Sequence, residues 1–186
     1  MIQEELRKQT AAAHQQLEKL VVSRLKNIRS NEDYADLLKI FYAYFNRLEG
    51  AIKPYISNEV LPDYAERRHA ISLADDIVCL GGQLIDLPEV SVPFIDNTVK
   101  ALGALYVMEG SVMGGPIITQ ILAKYGITKG TSFFSGYGAE TGKKWDAFIN
   151  ALNTNLSEEY YLDAINTAIE TFLRFADAFE LAERLS

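Results

Sequence analysis

The chain has 186 residues, of which 48% are hydrophobic and 23% are charged, a balance typical of a globular domain with a sizeable core. Its formal net charge of -7 excludes nucleic acid as a bulk partner, because a phosphate backbone would be repelled. An anionic small molecule would need a local basic patch.

The sequence also indicates the cellular compartment of the protein. Cys79 is the single cysteine, so an intramolecular disulfide is excluded, and its apolar neighbours predict a buried thiol. The first residues lack the basic and then apolar regions of a signal peptide. The longest apolar stretch, residues 102–108, is short and is followed by Glu109. We therefore expect a cytoplasmic protein without a membrane partner.

Apolar periodicity in the first half of the chain predicts helices. One helix is expected over residues 2–27, and a second begins after a capping Ser30 and stops at Pro54. Pro62 and Asp63 predict the start of a third helix, and a Gly-Gly pair at residues 81–82 predicts the end of that helix or of a successor.

The second half also has a helical pattern. Pro93 predicts the first turn of a long helix that ends at Gly126 and is kinked by Pro116 next to Gly114 and Gly115. A glycine-rich loop over residues 127–142 precedes a helix that begins at Trp145, and a last helix is expected over residues 157–185. Without strand alternation or repeats, the sequence predicts one all-α domain of seven or eight helices over residues 1–186.

Glycines inside the long helix need an explanation, since each costs about 1 kcal/mol relative to alanine. At 100° per residue, Gly103, Gly110 and Gly114 form one nearly straight stripe. Such a stripe allows close approach of another helix or of a flat ligand. From the stripe alone, helix packing is the favoured interpretation.

Only two histidines are present. His14 lies on the same side of the first helix as Arg7, about 10 Å away along the axis, and Glu18 follows one turn later. An imidazole with a nearby cation suits a flat metallocofactor with anionic arms, although a histidine in ordinary hydrogen bonds remains the alternative. His69 has a glutamate three residues before it, which is the spacing found in di-iron bundles. Such a site needs a second copy of the motif, and the sequence has none. His69 is therefore predicted to be a solvated surface histidine.

Three motifs together carry a family resemblance. They are Leu6-Arg7-x-x-Thr10-x-x-x-His14-x-x-Leu17-Glu18, Leu105-Tyr106-Val107-Met108-Glu109-Gly110-Ser111-x-Met113-Gly114-Gly115, and Phe133-Phe134-x-Gly136-Tyr137-Gly138-x-x-Thr141-Gly142-x-x-Trp145-x-x-Phe148. In this order they resemble the heme oxygenase family, specifically its bacterial biliverdin-producing members.

The resemblance implies a multi-helix bundle with heme between the first helix and a kinked, glycine-rich distal helix. It implies that His14 is the iron ligand, that Gly110, Ser111 and Gly114 form the catalytic distal side, and that Arg7 lies near a heme propionate. The other residues expected around heme are Thr10, Leu17, Glu18, Leu105, Tyr106, Met113, Phe172, Phe175 and Phe179. Heme would be both substrate and cofactor, opened by O2 to biliverdin, CO and Fe2+ with electrons from an external ferredoxin, flavodoxin or flavin reductase.

Two departures from the family pattern matter. Ser111 stands where many relatives have an aspartate that anchors distal water, so proton delivery is expected to run through Ser111, backbone groups and water. The basic propionate contacts on the helix after the loop are replaced by Asp146 and Asn150, with Lys143 and Lys144 as nearby substitutes. A non-catalytic heme carrier or sensor, and a same-fold protein of the thiaminase or cofactor-biosynthesis type that binds an organic ligand, are the alternatives.

Overall fold

The computed structural model describes residues 1–185, and within them the chain is all-helical without strands. Ser186, the last residue of the predicted domain, lies outside the described residues. The α-helices are α1 (Ile2–Asn27), α2 (Asn31–Ile52), α3 (Ile71–Cys79), α4 (Thr98–Gly110), α5 (Gly115–Lys124), α6 (Ser132–Ser135), α7 (Thr141–Asn155) and α8 (Tyr161–Leu185). The all-α prediction is confirmed.

Capping side chains fix two of the helix starts. Ser30 accepts a hydrogen bond from the Asp33 amide at the start of α2, as the sequence predicts. The start of the long helix was predicted wrongly at Pro93, because Asn97 provides the cap instead and accepts from the Lys100 amide. An asparagine side chain can satisfy an N-terminal amide, whereas a proline only tolerates the position.

The kink predicted next to Gly114 and Gly115 is present, but Pro116 does not form it. Residues Ser111–Gly114 form a 3-10 turn between α4 and α5, and Pro116 lies in the first turn of α5. A proline in a first helical turn removes no hydrogen bond, so it marks the restart of the helix rather than the bend itself.

Three other expectations need correction. The third helix begins at Ile71, because residues 62–70 form turns that carry charged side chains inward. Cys79 is exposed, since the buried side of α3 is formed by Leu73, Ala74, Asp76 and Ile77. The helices predicted from Trp145 and from residue 157 begin at Thr141 and Tyr161.

The segment Thr98–Lys124 has the length and composition of a possible membrane span, with a mean hydropathy of 1.3 over its most apolar 18 residues. It extends well beyond residues 102–108, the stretch that was expected to be too short for a span. Of its most apolar window, 56% is buried inside the fold, and Glu109 within it forms a buried ion pair with Arg67. Burial of this kind is typical of a core helix.

Helix α8 packs against both α1 and α4 and joins the two halves of the core. Gly103 on α4 lies directly against the Ala164 backbone of α8, so close that a Cβ there would overlap the Ala164 carbonyl. This confirms that Gly103 is a helix-packing contact. The core beneath these helices contains an aromatic cluster in which Phe175 stacks on Tyr44 with ring centroids 4.5 Å apart.

We expect Gly103→Ala to destabilise the protein by about 1–3 kcal/mol, because the new methyl group forces α4 away from α8. Urea unfolding followed by circular dichroism measures the change. Gly50→Ala on α2 is the matched control, since a Cβ there meets no heavy atom within 4 Å. The control should gain up to about 1 kcal/mol from helix propensity. Equal effects of the two substitutions would contradict the packing role.

Candidate functional site

A cavity of about 550 Å³ lies between α1 and the α4–α5 segment, within the size range of small-molecule and cofactor sites. Helices α2 and α8 close its base with aromatic rings, and Trp145 of α7 closes one side. From α1 it is lined by Arg7, Thr10, Ala11, His14, Leu17, Glu18, Val21, Val22 and Leu25. The surface is mostly apolar, which suits a large flat hydrophobic molecule.

The first wall is the face of α1 that carries His14. Its ring is exposed to the cavity and meets the Phe172 ring edge-on at a centroid distance of 5.3 Å. Within residues 1–185 the imidazole makes no hydrogen bond. Thr10, by contrast, is buried and donates to the Leu6 carbonyl at 2.7 Å. A ring nitrogen of His14 is therefore available to a ligand.

Arg7 is the cation that lines the cavity at the N-terminal end of α1. No carboxylate in the described part of the chain lies within ion-pair distance of it. Burial raises the pKa of the nearby Tyr106 hydroxyl, while the positive charge of Arg7 opposes the rise. An unpaired arginine at the edge of an apolar cavity is suited to a carboxylate on the ligand.

The opposite wall is the turn Ser111–Gly114 and the residues beside it. A Cβ on Gly114 would meet no heavy atom within 4 Å, and on Gly110 the nearest atom would belong to Trp145 at 3.8 Å. Gly115 differs, because its Cα faces the Phe134 carbonyl too closely for any side chain. Gly110 and Gly114 thus expose bare backbone to the cavity, whereas Gly103 and Gly115 are required by packing.

Charged side chains hold this wall from behind. Arg67 is fully buried and donates to Glu109 at 2.7 Å and to Asp63 at 2.8 Å, while Lys144 binds the second oxygen of Asp63 at 2.8 Å. Burial alone would raise the pKa of Asp63, but the hydrogen bonds from Lys144 and Arg67 hold it below its usual value. Tyr137 donates to Glu109 at 3.2 Å. The end of α4 is therefore fixed to residues 63–67 and to α7.

Residues 1–84 match the family model described as Heme oxygenase. The structure is similar to the NO- and CO-bound heme oxygenase from Neisseria meningitidis, with a TM-score of 0.86 and 24% identity over 100% of this chain and 94% of that one. No curated protein sequence matches the chain. The chain has the heme oxygenase fold. The family-model match over residues 1–84 and the shared fold agree with the resemblance drawn from the sequence.

Most of the residues that the resemblance implies line the cavity of this heme oxygenase fold. They are Arg7, Thr10, His14, Leu17, Glu18, Tyr106, Gly110, Ser111, Met113, Gly114, Phe172 and Phe175. The two stripes singled out on α1 and on the distal segment thus face each other across one space.

Four expected site residues lie elsewhere. Leu105 is buried on the core side of α4, because its neighbour Tyr106 takes the cavity side. Phe179 is fully buried and meets Phe41 edge-on at 5.6 Å, one turn beyond the last α8 ring at the cavity.

The two lysines of α7 also fail as cavity residues. The Lys143 side chain is 79% exposed and binds Glu140 at 3.0 Å, and Lys144 is committed to Asp63. Their helix presents Trp145 to the cavity instead, so the substitution that the sequence suggested for the missing basic contacts does not occur.

Several residues that line the cavity were not predicted from the sequence. Phe41 and Phe45 are core residues whose rings also form the cavity base. The aliphatic face of α5, with Ile117, Ile118 and Ile121, lines the distal end. Ile117 is 62% exposed, a property that its apolar position in the helical pattern does not reveal.

His69 stabilises the segment that holds the distal wall, rather than standing on a solvated surface as predicted. Its Nδ1 lies 3.0 Å from Glu49 Oε1 and its Nε2 lies 3.1 Å from the Tyr64 carbonyl oxygen. Both partners are acceptors, so both ring nitrogens must carry protons. The hydrogen bond with Glu49 raises the pKa of His69. Burial would raise the pKa of Glu49, but the bonds from His69 and the Ala70 amide lower it.

We expect the stability contributed by His69 to depend on pH. Because the folded-state pKa of His69 is raised above 6.5, its contribution is complete below that value and is lost as the pH rises through the folded-state pKa. Because the folded-state pKa of Glu49 is lowered below 4.5, the pair also weakens as the pH falls through that lower value.

Urea unfolding of the wild type and of His69→Gln tests this expectation. The difference in unfolding free energy should be on the order of 1 kcal/mol at about pH 5.5 and smaller at about pH 8.5. The glutamine side chain is uncharged at both pH values, so a pH-dependent difference reports the charge on His69. An equal difference at the two pH values would contradict a charged imidazole.

Proposed function

We propose that this chain is a heme oxygenase, which opens heme to biliverdin with release of CO and Fe2+ and uses O2 and electrons from an external donor. One observation carries the proposal. A single apolar cavity of about 550 Å³ has the His14 imidazole on one wall and the side-chain-free backbone of Gly110 and Gly114 on the other.

The donor set of the cavity fits heme. His14 would hold the iron of heme through a neutral imidazole nitrogen, since its ring has no competing partner within the described chain. The propionates need cations, and Arg7 is an unpaired one at the cavity edge. The remaining lining is apolar and aromatic, as the porphyrin faces require. Glu18, one turn after His14, is available to orient the ring.

Each wall would have a distinct part in the reaction. Bound heme supplies O2 binding and activation at the iron, the chemistry that the protein residues lack. Gly110 and Gly114 let the backbone approach the heme closely and leave room only for small ligands. Trp145 and Tyr106, whose ring centroids are 5.8 Å apart, shield the N-terminal end of the distal wall. Ser111 is the one side-chain hydroxyl of the distal turn at the cavity.

Opening heme with O2 consumes electrons, which an external donor would supply. We propose a ferredoxin, a flavodoxin or a flavin reductase as the donor, and a soluble cytoplasmic location for the reaction. The apolar segment Thr98–Lys124 lines the heme cavity in this proposal, which accounts for its hydropathy without a membrane.

We expect the wild-type apoprotein to bind one hemin with a strong Soret band, and His14→Ala to lose that band. His69→Gln is the matched control, because His69 is the only other histidine in the chain and lies outside the cavity. Hemin titration followed by absorbance spectroscopy measures both. An unchanged Soret band in His14→Ala would overturn the ligand assignment.

Turnover is tested by adding a reductant to the heme complex in air. Formation of biliverdin, with CO and Fe2+ release, is the expected result. Heme that stays intact under these conditions would identify a carrier or sensor, and a folded protein that binds no heme would favour an organic ligand on the same fold.

We expect Arg7→Ala to weaken heme binding about three- to tenfold, since one partly solvated ion pair with a propionate is lost. Lys8→Ala removes the same charge from the next residue, which is exposed and does not line the cavity. The Lys8 variant should bind heme like the wild type. Equal weakening in both variants would indicate a general effect of charge instead of a contact with Arg7.

A further inference from the structure

Arg68 lies behind the distal turn and does not line the cavity. Its guanidinium donates to three oxygens: the Phe133 carbonyl at 3.0 Å, the Met108 carbonyl at 2.9 Å and the Ser111 hydroxyl at 2.6 Å. The Phe133 ring centroid lies 3.8 Å from the guanidinium carbon. Burial lowers the pKa of Arg68 to about 10, so the group stays charged at neutral pH.

These bonds fix the hydrogen-bonding role of Ser111. An arginine has no acceptor, so Ser111 Oγ must accept from Arg68. A carbonyl has no donor, so the single Ser111 proton goes to the Met108 carbonyl, which is 2.6 Å away. One lone pair of the hydroxyl remains, and Ser111 lines the cavity. Toward the cavity, Ser111 therefore acts only as an acceptor.

The position of Arg68 is itself well determined. Its backbone amide donates to the Tyr137 hydroxyl at 3.0 Å, and the preceding Arg67 is buried between Asp63 and Glu109. The Phe133 and Met108 carbonyls also bind the guanidinium, so its position does not depend on Ser111 alone. The triangle of Arg68, Ser111 and the Met108 carbonyl holds one rotamer of Ser111.

We infer that Arg68 is a positioning residue that locks the Ser111 hydroxyl as an acceptor facing the cavity, so that a water molecule there must donate its proton to Ser111. The inference rests on the proposed function for its catalytic meaning. It changes the expected route of the proton: Ser111 orients a donor water and does not give its own proton, which is committed to Met108. The second hydrogen of that water would remain free to point into the cavity.

The lock is tested first in the apoprotein by a double-mutant cycle of Arg68→Lys and Ser111→Ala. Lysine keeps the charge but cannot reproduce the fork that reaches three oxygens. We expect the double substitution to change the unfolding equilibrium constant by a factor that differs about tenfold from the product of the two single effects. Thr119→Ala is the matched control, because the Thr119 hydroxyl also donates to a carbonyl three residues earlier and lies outside the cavity. Additive effects for Arg68 and Ser111 would overturn the lock.

The acceptor role is tested in the ferric heme complex by the midpoint of its alkaline spectral transition, in which iron-bound water loses a proton. An acceptor favours water over hydroxide, so Ser111→Ala should lower the midpoint by roughly half to one pH unit. Arg68→Lys should shift the midpoint when Ser111 is present and should have no effect in the Ser111→Ala background. The same shift in both backgrounds would overturn the inference.

The two measurements separate the inference from the proposed function. A wild-type protein that binds no heme overturns the proposed function, while the apoprotein cycle still decides whether Arg68 fixes Ser111. A protein that binds heme and forms biliverdin, but shows additive effects in both cycles, retains the proposed function and overturns the inference.

Discussion

The bare backbone at Gly110 and Gly114 is the feature on which the cavity depends. Glycines weaken a helix, and here the helix gives way to a 3-10 turn, so this wall cannot be rigid through its own propensity. Its position is fixed from behind by the buried pair of Arg67 and Glu109. A buried pair of this kind is weak evidence for net stability, but removal of one partner is costly, so the arrangement specifies one position of the wall.

Helix α8 makes the two walls parts of one body. It packs on α1, which carries His14, and on α4, where the Ala164 backbone fits against Gly103. Its rings Phe172 and Phe175 then form the base of the space between them. The width of the cavity is thus set by a helix–helix contact that is distant from the distal turn. Of the glycine stripe, Gly103 serves this contact, while Gly110 and Gly114 face the cavity.

The features that could be predicted from the sequence are those determined by residue spacing along a single helix. The α1 face, the Ser30 cap and the glycine stripe follow from spacing along one helix, and the structure bears out the helices they imply. Which partner a charged residue finds is decided across the chain: Lys144 meets Asp63, 81 residues away, and Arg68 meets Ser111. Periodicity carries no information on such pairs. The turns of residues 62–70 were mistaken for a helix for the same reason, because tertiary ion pairs determine their path.

Charge distribution in the cavity favours one orientation of a flat anionic ligand. Arg7 stands at one end of the α1 wall, and the far end is formed by apolar residues such as Val22, Leu25 and Ile121. A carboxylate at that apolar end would lose its hydration without a counter-ion, whereas at Arg7 it gains an ion pair near solvent. Under the proposed function, this asymmetry decides which edge of the heme is buried beneath the distal turn.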